Sequence, residues 1–193
     1  MTLTGIKKEN NSGRPVFILG IDPGSINAGY AVIKAQNRSF SVVNSGVCQL
    51  NSKTPFLERL PLLFDFFNNL CDPLIDFEVS IEALAFVKNP NSFGKLAQAR
   101  GAILAALGSR PQSISEYSPN LVKSTVSGYG LASKQSLEKS LGFACKKKMN
   151  YTTNDESDAI ALAICHHYFR STNLPPTAGR SPFHPTIIKG KRP

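Results

Sequence analysis

The stretch FILGIDPGSINAGYAVI, residues 17–33, constrains the fold more than any other part of the chain. Two apolar runs, 17–22 and 27–34, flank PGSI, whose proline and glycine favour a tight reversal. The spacing therefore predicts two antiparallel strands. SFSVVNSGVCQL, residues 39–50, predicts a third with imperfect alternation, and three consecutive strands make a meander. Asp22 closes the first run, where an apolar surround makes a carboxylate costly unless it is paired or bound to a metal.

The remaining chain alternates helix and strand. Phe56, Leu57, Leu60, Leu63, Phe64, Phe67 and Leu70 recur at helical spacing, and Pro61 requires that helix to start or kink there. FEVSIEALAF, residues 77–86, predicts a strand ending at Glu82. Residues 91–109 predict a helix with small residues along one side, and SISEYSP a fifth strand. A lysine-rich helix, 133–145, precedes a last one at 154–169, where Thr153 and Glu156 fit the S/T-x-x-E capping box. The order βββ-α-β-α-β-α predicts an α/β protein with a mixed sheet covered on both faces.

Length suits one folded domain, residues 17–169, between a flexible N-terminal extension, 1–16, and a disordered basic tail, 170–193. No apolar run approaches the ~20 residues needed to span a bilayer, and nothing resembles a secretory signal, so a cytoplasmic protein without membrane contact is expected. Cys48, Cys71, Cys145 and Cys165 are scattered without metal or disulfide spacing and read as small core residues. His166 and His167, near the end of the last helix, read as surface residues or as complements to its dipole. The net charge of +9 is uneven: residues 88–148 hold ten Lys and Arg against Glu116 and Glu138 alone. Such a block is a candidate polyanion footprint, with a solvated face as the bland alternative.

Four acids fall at element ends: Asp22, Glu82, and the pair Asp155 and Asp158, three apart on one helix face. Each has an ordinary reading. Asp22 suits a DPGS turn, Glu82 a strand edge, and Asp155 a helix N-terminus. Together they suit a hard divalent cation, because converging carboxylates repel one another and Mg²⁺ takes oxygen ligands. Two such ions would activate a water and stabilise the leaving oxygen of a phosphodiester.

GIDPGSINAGYAV, IEALAFVKNPNSFGKLAQARGAI, LVKSTVSGYGLASK and NDESDAIALAICH, in that order, resemble the RuvC family of Holliday-junction resolvases over residues 17–168. The resemblance implies an RNase H-like fold: a five-stranded mixed sheet, three strands antiparallel and then two parallel, flanked by helices. It implies a homodimeric endodeoxyribonuclease that nicks two opposed strands of a four-way DNA junction during recombination and repair. Two Mg²⁺ ions per site are implied, with Mn²⁺ as a substitute, and the RuvA and RuvB branch-migration proteins are candidate partners. Asp22, Glu82, Asp155 and Asp158 match the family's catalytic, metal-binding acids, and Lys123 and Lys134 match basic positions near the scissile phosphate. Lys88 and Arg100 are further candidate DNA contacts. Family members commonly have an aromatic residue three after the glutamate; here that place is Ala85 and the aromatic is Phe86, a candidate DNA wedge or a core residue. The small-residue helix 91–109 is the candidate dimer interface, to be tested by a bulky change at Ala99 or Ala102.

Three other readings compete. An actin-like ATPase shares the first phosphate-loop pattern but needs two lobes and a second loop. An architectural DNA-binding protein would use the cations but has no need of converging acids. A nuclease for RNA·DNA hybrids would share the acids.

Overall fold

A computed structural model of the protein describes residues 14–84, 89–145 and 153–172. Its elements are β1 (Val16–Asp22), β2 (Asn27–Gln36), β3 (Ser39–Gln49), α1 (Phe56–Cys71), β4 (Phe77–Glu82), α2 (Pro90–Leu107), β5 (Ser113–Tyr117), α3 (Pro119–Ser127), α4 (Lys134–Ala144) and α5 (Asn154–Thr172). The sheet order is β3-β2-β1-β4-β5. β1 and β2 pair antiparallel, as do β2 and β3, whereas β4 runs parallel to both β1 and β5. This is the mixed five-stranded sheet expected from the sequence. The imperfect alternation in β3 has a local cause: the pairing passes from Val32↔Asn44 to Ile33↔Val42, so Val43 is the extra residue of a bulge.

Strand parity divides the side chains between two helical layers. Leu19 and Ile21 of β1 and Phe77, Val79 and Ile81 of β4 join Leu63, Phe67, Ile103 and Leu107 of α1 and α2 in one core. Ile18 of β1 and Ile33 and Ala35 of β2 pack with Ala163 of α5 on the opposite face, where α3, α4 and α5 build a second core. Along β4 the even positions meet α5 in sequence. Glu78 accepts from His166 and Arg170, and the Ser80 hydroxyl donates to the Leu162 carbonyl at 2.7 Å.

The helix lies close to the sheet because two strand positions lack a Cβ. One added at Gly20 would stand 2.1 Å from the Ala159 carbonyl oxygen, and one at Gly29 would stand 2.0 Å from that of Asp155. Both are impossible contacts, so only glycine lets α5 rest its backbone on β1 and β2.

Several expectations need correction. α1 begins at Phe56, so it does not start at Pro61, which lies on its exposed side where the carbonyl freed by the missing N–H can be hydrated. α3 has no counterpart in the expected order of elements, although Ser118 caps it, Pro119 opens it and Gly128 closes it in the left-handed conformation. Arg170 belongs to α5 and bonds Glu78, so it is not part of a tail. His166 and His167 are buried, not superficial. α5 is covered on nearly every side from Glu156 to His167, and His166 Nδ1 and Nε2 lie 2.7 Å from Tyr117 Oη and 2.8 Å from Glu78 Oε2. Cys48, Cys71 and Cys165 are buried as expected, while Cys145 is half-buried. Most of the expected extension and tail, together with Phe86 and Lys88, lies outside the described residues.

Replacing Gly29 with Ala is expected to cost about 1–3 kcal/mol, because helix or strand must shift to admit the methyl group. Urea denaturation checks this against Gly101→Ala, where an added Cβ meets nothing within 4 Å and helix propensity favours alanine.

Candidate active site

Asp22, Glu82, Asp155 and Asp158 are brought to one end of the sheet by the parity that seats α5. Asp22 is the last residue of β1, two positions beyond Gly20 on the α5 side, and pairs with Gly29 in the antiparallel register. Glu82 ends β4 two positions beyond Ser80. Asp155 opens α5, and Asp158 follows one turn later. The start of this helix is secured from two sides. Thr153 Oγ1 accepts from the Glu156 N–H at 3.4 Å, and the Ser45 hydroxyl of β3 donates to the Glu156 carboxylate at 2.7 Å. All four acids are half-buried.

Their electrostatic coupling is strong. Burial, followed by repulsion from Glu82, Asp158 and Asp155, pushes the Asp22 carboxyl up from its ordinary 3.8 to about 8, with Lys134 opposing the shift. Burial and the charge of Asp158 also raise Glu82, opposed by Lys123. Lys134, at the start of α4, places Nζ 3.1 Å from Asp158 Oδ2. Lys123, on α3, acts on Glu82, so the short helix missed in the sequence carries one of the two lysines that face the acids.

Two other predicted residues fall differently. Arg100 is paired with Glu116 of β5, and its side chain is largely covered, which leaves the guanidinium committed within the chain. Ala99 is fully buried in the core with α1, and Ala102 is half-buried; beyond the first turn of α2 the exposed positions are Lys95, Gln98, Gly101 and Ala105. A bulky change at Ala99 would therefore disrupt the core and not an outer surface. Arg59 is a contributor with no warning in its helical pattern: it is buried on α1 and donates from Nη1 to the Ser25 carbonyl at 2.6 Å, bracing the turn behind Asp22.

Among the described residues, no three His, Cys, Asp or Glu side chains are grouped tightly enough to hold a metal ion as they stand. The chemistry of the donors is nevertheless that of a hard cation site. The four are carboxylates, and the one ending β1 is destabilised as an anion by burial and by the other three.

Because the Asp22 pKa is raised by folding, its carboxylate adds no penalty below about pH 3.8; stability declines as pH rises from 3.8 toward about 8 and levels off above that. In metal-free protein at pH 8.5, Asp22→Asn is expected to unfold later than the wild type by at least ~1 kcal/mol, a Tm gain of about 2–4 °C. The gap should close as the pH is lowered to 4, as thermal melts at each pH would show.

Residues 18–166 match the family described as Crossover junction endodeoxyribonuclease RuvC. The chain is 36% identical over 155 residues to the crossover junction endodeoxyribonuclease RuvC of Legionella pneumophila strain Philadelphia 1, covering 80% of this chain and 88% of the relative. It is 37% identical over 159 residues to that of Chlamydia pneumoniae, covering 80% and 95%. Among solved structures, Thermus thermophilus RuvC superposes with a TM-score of 0.73 at 21% identity, covering 82% of this chain and 97% of that one. The yeast mitochondrial Holliday junction resolvase Ydc2 gives 0.61 at 13% identity, covering 84% and 82%. The two structural likenesses concern the fold.

Proposed function

We propose, from the fact that the chain belongs to the crossover junction endodeoxyribonuclease RuvC family, that it resolves four-way DNA junctions by metal-dependent hydrolysis. The single observation that carries the reading is the convergence of Asp22, Glu82, Asp155 and Asp158 on one electrostatically strained patch within a chain of net charge +9. A binding protein has no use for it, because acids repel the DNA that the lysines attract. Thermus thermophilus RuvC, which shares the fold, has been solved with a Holliday junction substrate.

The four acids would hold Mg²⁺, with Mn²⁺ as a substitute. Bound there, divalent ions supply an activated water and charge stabilisation for a phosphodiester displacement. Asp22 sits deepest in the field of the other acids and is the carboxylate that gains most from a cation. Lys134, paired with Asp158, and Lys123, whose charge acts on Glu82, would supply positive charge for the scissile phosphate. No residue needs to act as a covalent nucleophile. The thiols of Cys48, Cys71 and Cys165 are buried and held above their ordinary pKa by burial.

On synthetic four-way junctions with Mg²⁺, the wild type is expected to make paired nicks, while Asp22→Asn and Asp158→Asn bind but do not cut. Equal cutting by all three proteins overturns the reading. Metal binding has its own readout: Mg²⁺ or Mn²⁺ should raise the Tm of the wild type at pH 8 well above its effect on Asp22→Asn.

Two opposed strands call for two sites, so the proposed working form is a homodimer of this cytoplasmic protein, with RuvA and RuvB as proposed partners in branch migration. The outward stripe Gln98, Gly101 and Ala105 of α2 is the face assigned to the partner copy. Ala105→Arg is expected to yield monomers by gel filtration that nick one strand without coordinating the second; a fully active dimer refutes the assignment.

A further inference from the structure

The connection between α3 and α4 carries two large side chains that the core does not use. Tyr129 is 61% exposed and Leu131 73% exposed, whereas Ala132 beside them is buried. The backbone beneath these side chains is tied down. The Ser127 hydroxyl is shared between the carbonyls of Lys123, at 2.7 Å, and Tyr129, at 3.2 Å. The N–H groups of Gly128 and Ala132 donate at 3.0 Å to the carbonyls of Ser124 and Tyr129. At Gly130 an added Cβ would stand 3.2 Å from the Asn120 carbonyl oxygen, so the loop lies directly on α3. A fixed backbone that presents apolar side chains to water is preorganised for contact, since little order remains to be imposed on binding.

The position of the loop identifies its ligand. It is bounded by Lys123 on α3 and Lys134 on α4, the same two lysines whose charges act on Glu82 and Asp158. A polyanion drawn to those lysines would pass beside the tyrosine ring, and a nucleic acid is the polyanion that also offers flat apolar faces. In a continuous duplex those faces are stacked on one another, whereas at a branch point some are open.

Resting on the junction-nuclease reading, we propose that Tyr129 and Leu131 form a stacking tip that engages an unstacked base beside the scissile phosphate and favours branched DNA over duplex. The tyrosine ring covers the base face, the leucine contacts the adjoining sugar, and the two lysines hold the flanking phosphates. The contact is made by the ring, so the phenolic hydroxyl is dispensable.

The test compares full-length wild type, Tyr129→Ala, Tyr129→Phe and Leu131→Ala on a four-way junction with 2-aminopurine at the branch and on a linear duplex of the same sequence. Tyr129→Ala should bind the junction about 5- to 150-fold more weakly, the range for losing one aromatic–base stack. It should also lose the 2-aminopurine quenching while duplex affinity and Tm stay unchanged. Leu131→Ala should show a smaller loss, and Tyr129→Phe should match the wild type. Unaltered junction affinity and quenching in Tyr129→Ala overturn the proposal, as does a loss in Tyr129→Phe as large as in Tyr129→Ala. Cleavage is scored in the same samples: a wild type that does not cut sinks the nuclease reading, while binding and quenching still decide the tip.

Discussion

The acidic patch exists because a helix backbone rests directly on a sheet. At Gly20 and Gly29 the strands present no side chain to α5, and the helix settles onto β1 and β2 at a depth that any Cβ would forbid. From that depth Asp155 and Asp158 reach the field of Asp22. The opposite strand neighbour, β4, adds specific bonds to the same helix through Glu78 and Ser80 before ending in Glu82. Steric permission from one strand pair and hydrogen bonding from another thus fix one helix, and the helix delivers half of the acids.

This arrangement sets folding against electrostatics. The packing that the apolar face of α5 favours is also what gathers carboxylates whose repulsion and burial oppose their ionisation. Lys134 and Lys123 relieve the conflict only in part, since Asp22 remains displaced to about 8 despite Lys134. Perturbed carboxylates clustered at the edge of a core are a recurrent feature of catalytic centres, and this is the physical ground of the proposed function. The remaining charge follows a different logic, as Arg100 and Arg170 are consumed by Glu116 and Glu78 inside the fold.

Much of this was legible in the sequence, for identifiable reasons. The meander, the two later strands and the last helix were readable because alternation, turn residues and a capping threonine are local signals. The four acids stood out as candidates because Asp22 and Glu82 close strands and Asp155 and Asp158 lie in the first two turns of a helix. What the sequence concealed depends on neighbours distant along the chain. The glycines at 20 and 29 look like ordinary strand residues until the helix that touches them is known. His166 and His167 looked peripheral because they sit near a helix end, yet AIALAIC directly before them is apolar all round, the mark of a helix with no solvent face. α3 was hidden by its brevity, although serine, proline and glycine stood at its two ends. Arg100 looked like a surface cation because its partner Glu116 belongs to β5, a separate element.

Two hydrogen bonds and one charge repulsion between β4 and α5 run in opposite directions along the two elements: Glu78 with His166, Ser80 with Leu162, and Glu82 against Asp158. Together they act as a ruler. Deleting or inserting one residue between Glu78 and Glu82 would turn the glutamate toward the α1–α2 layer and leave the helix acids facing an aliphatic side chain. Length variation among natural versions of this chain should therefore fall in the connections around the sheet, while the distance from the buried histidine to the acidic edge stays invariant.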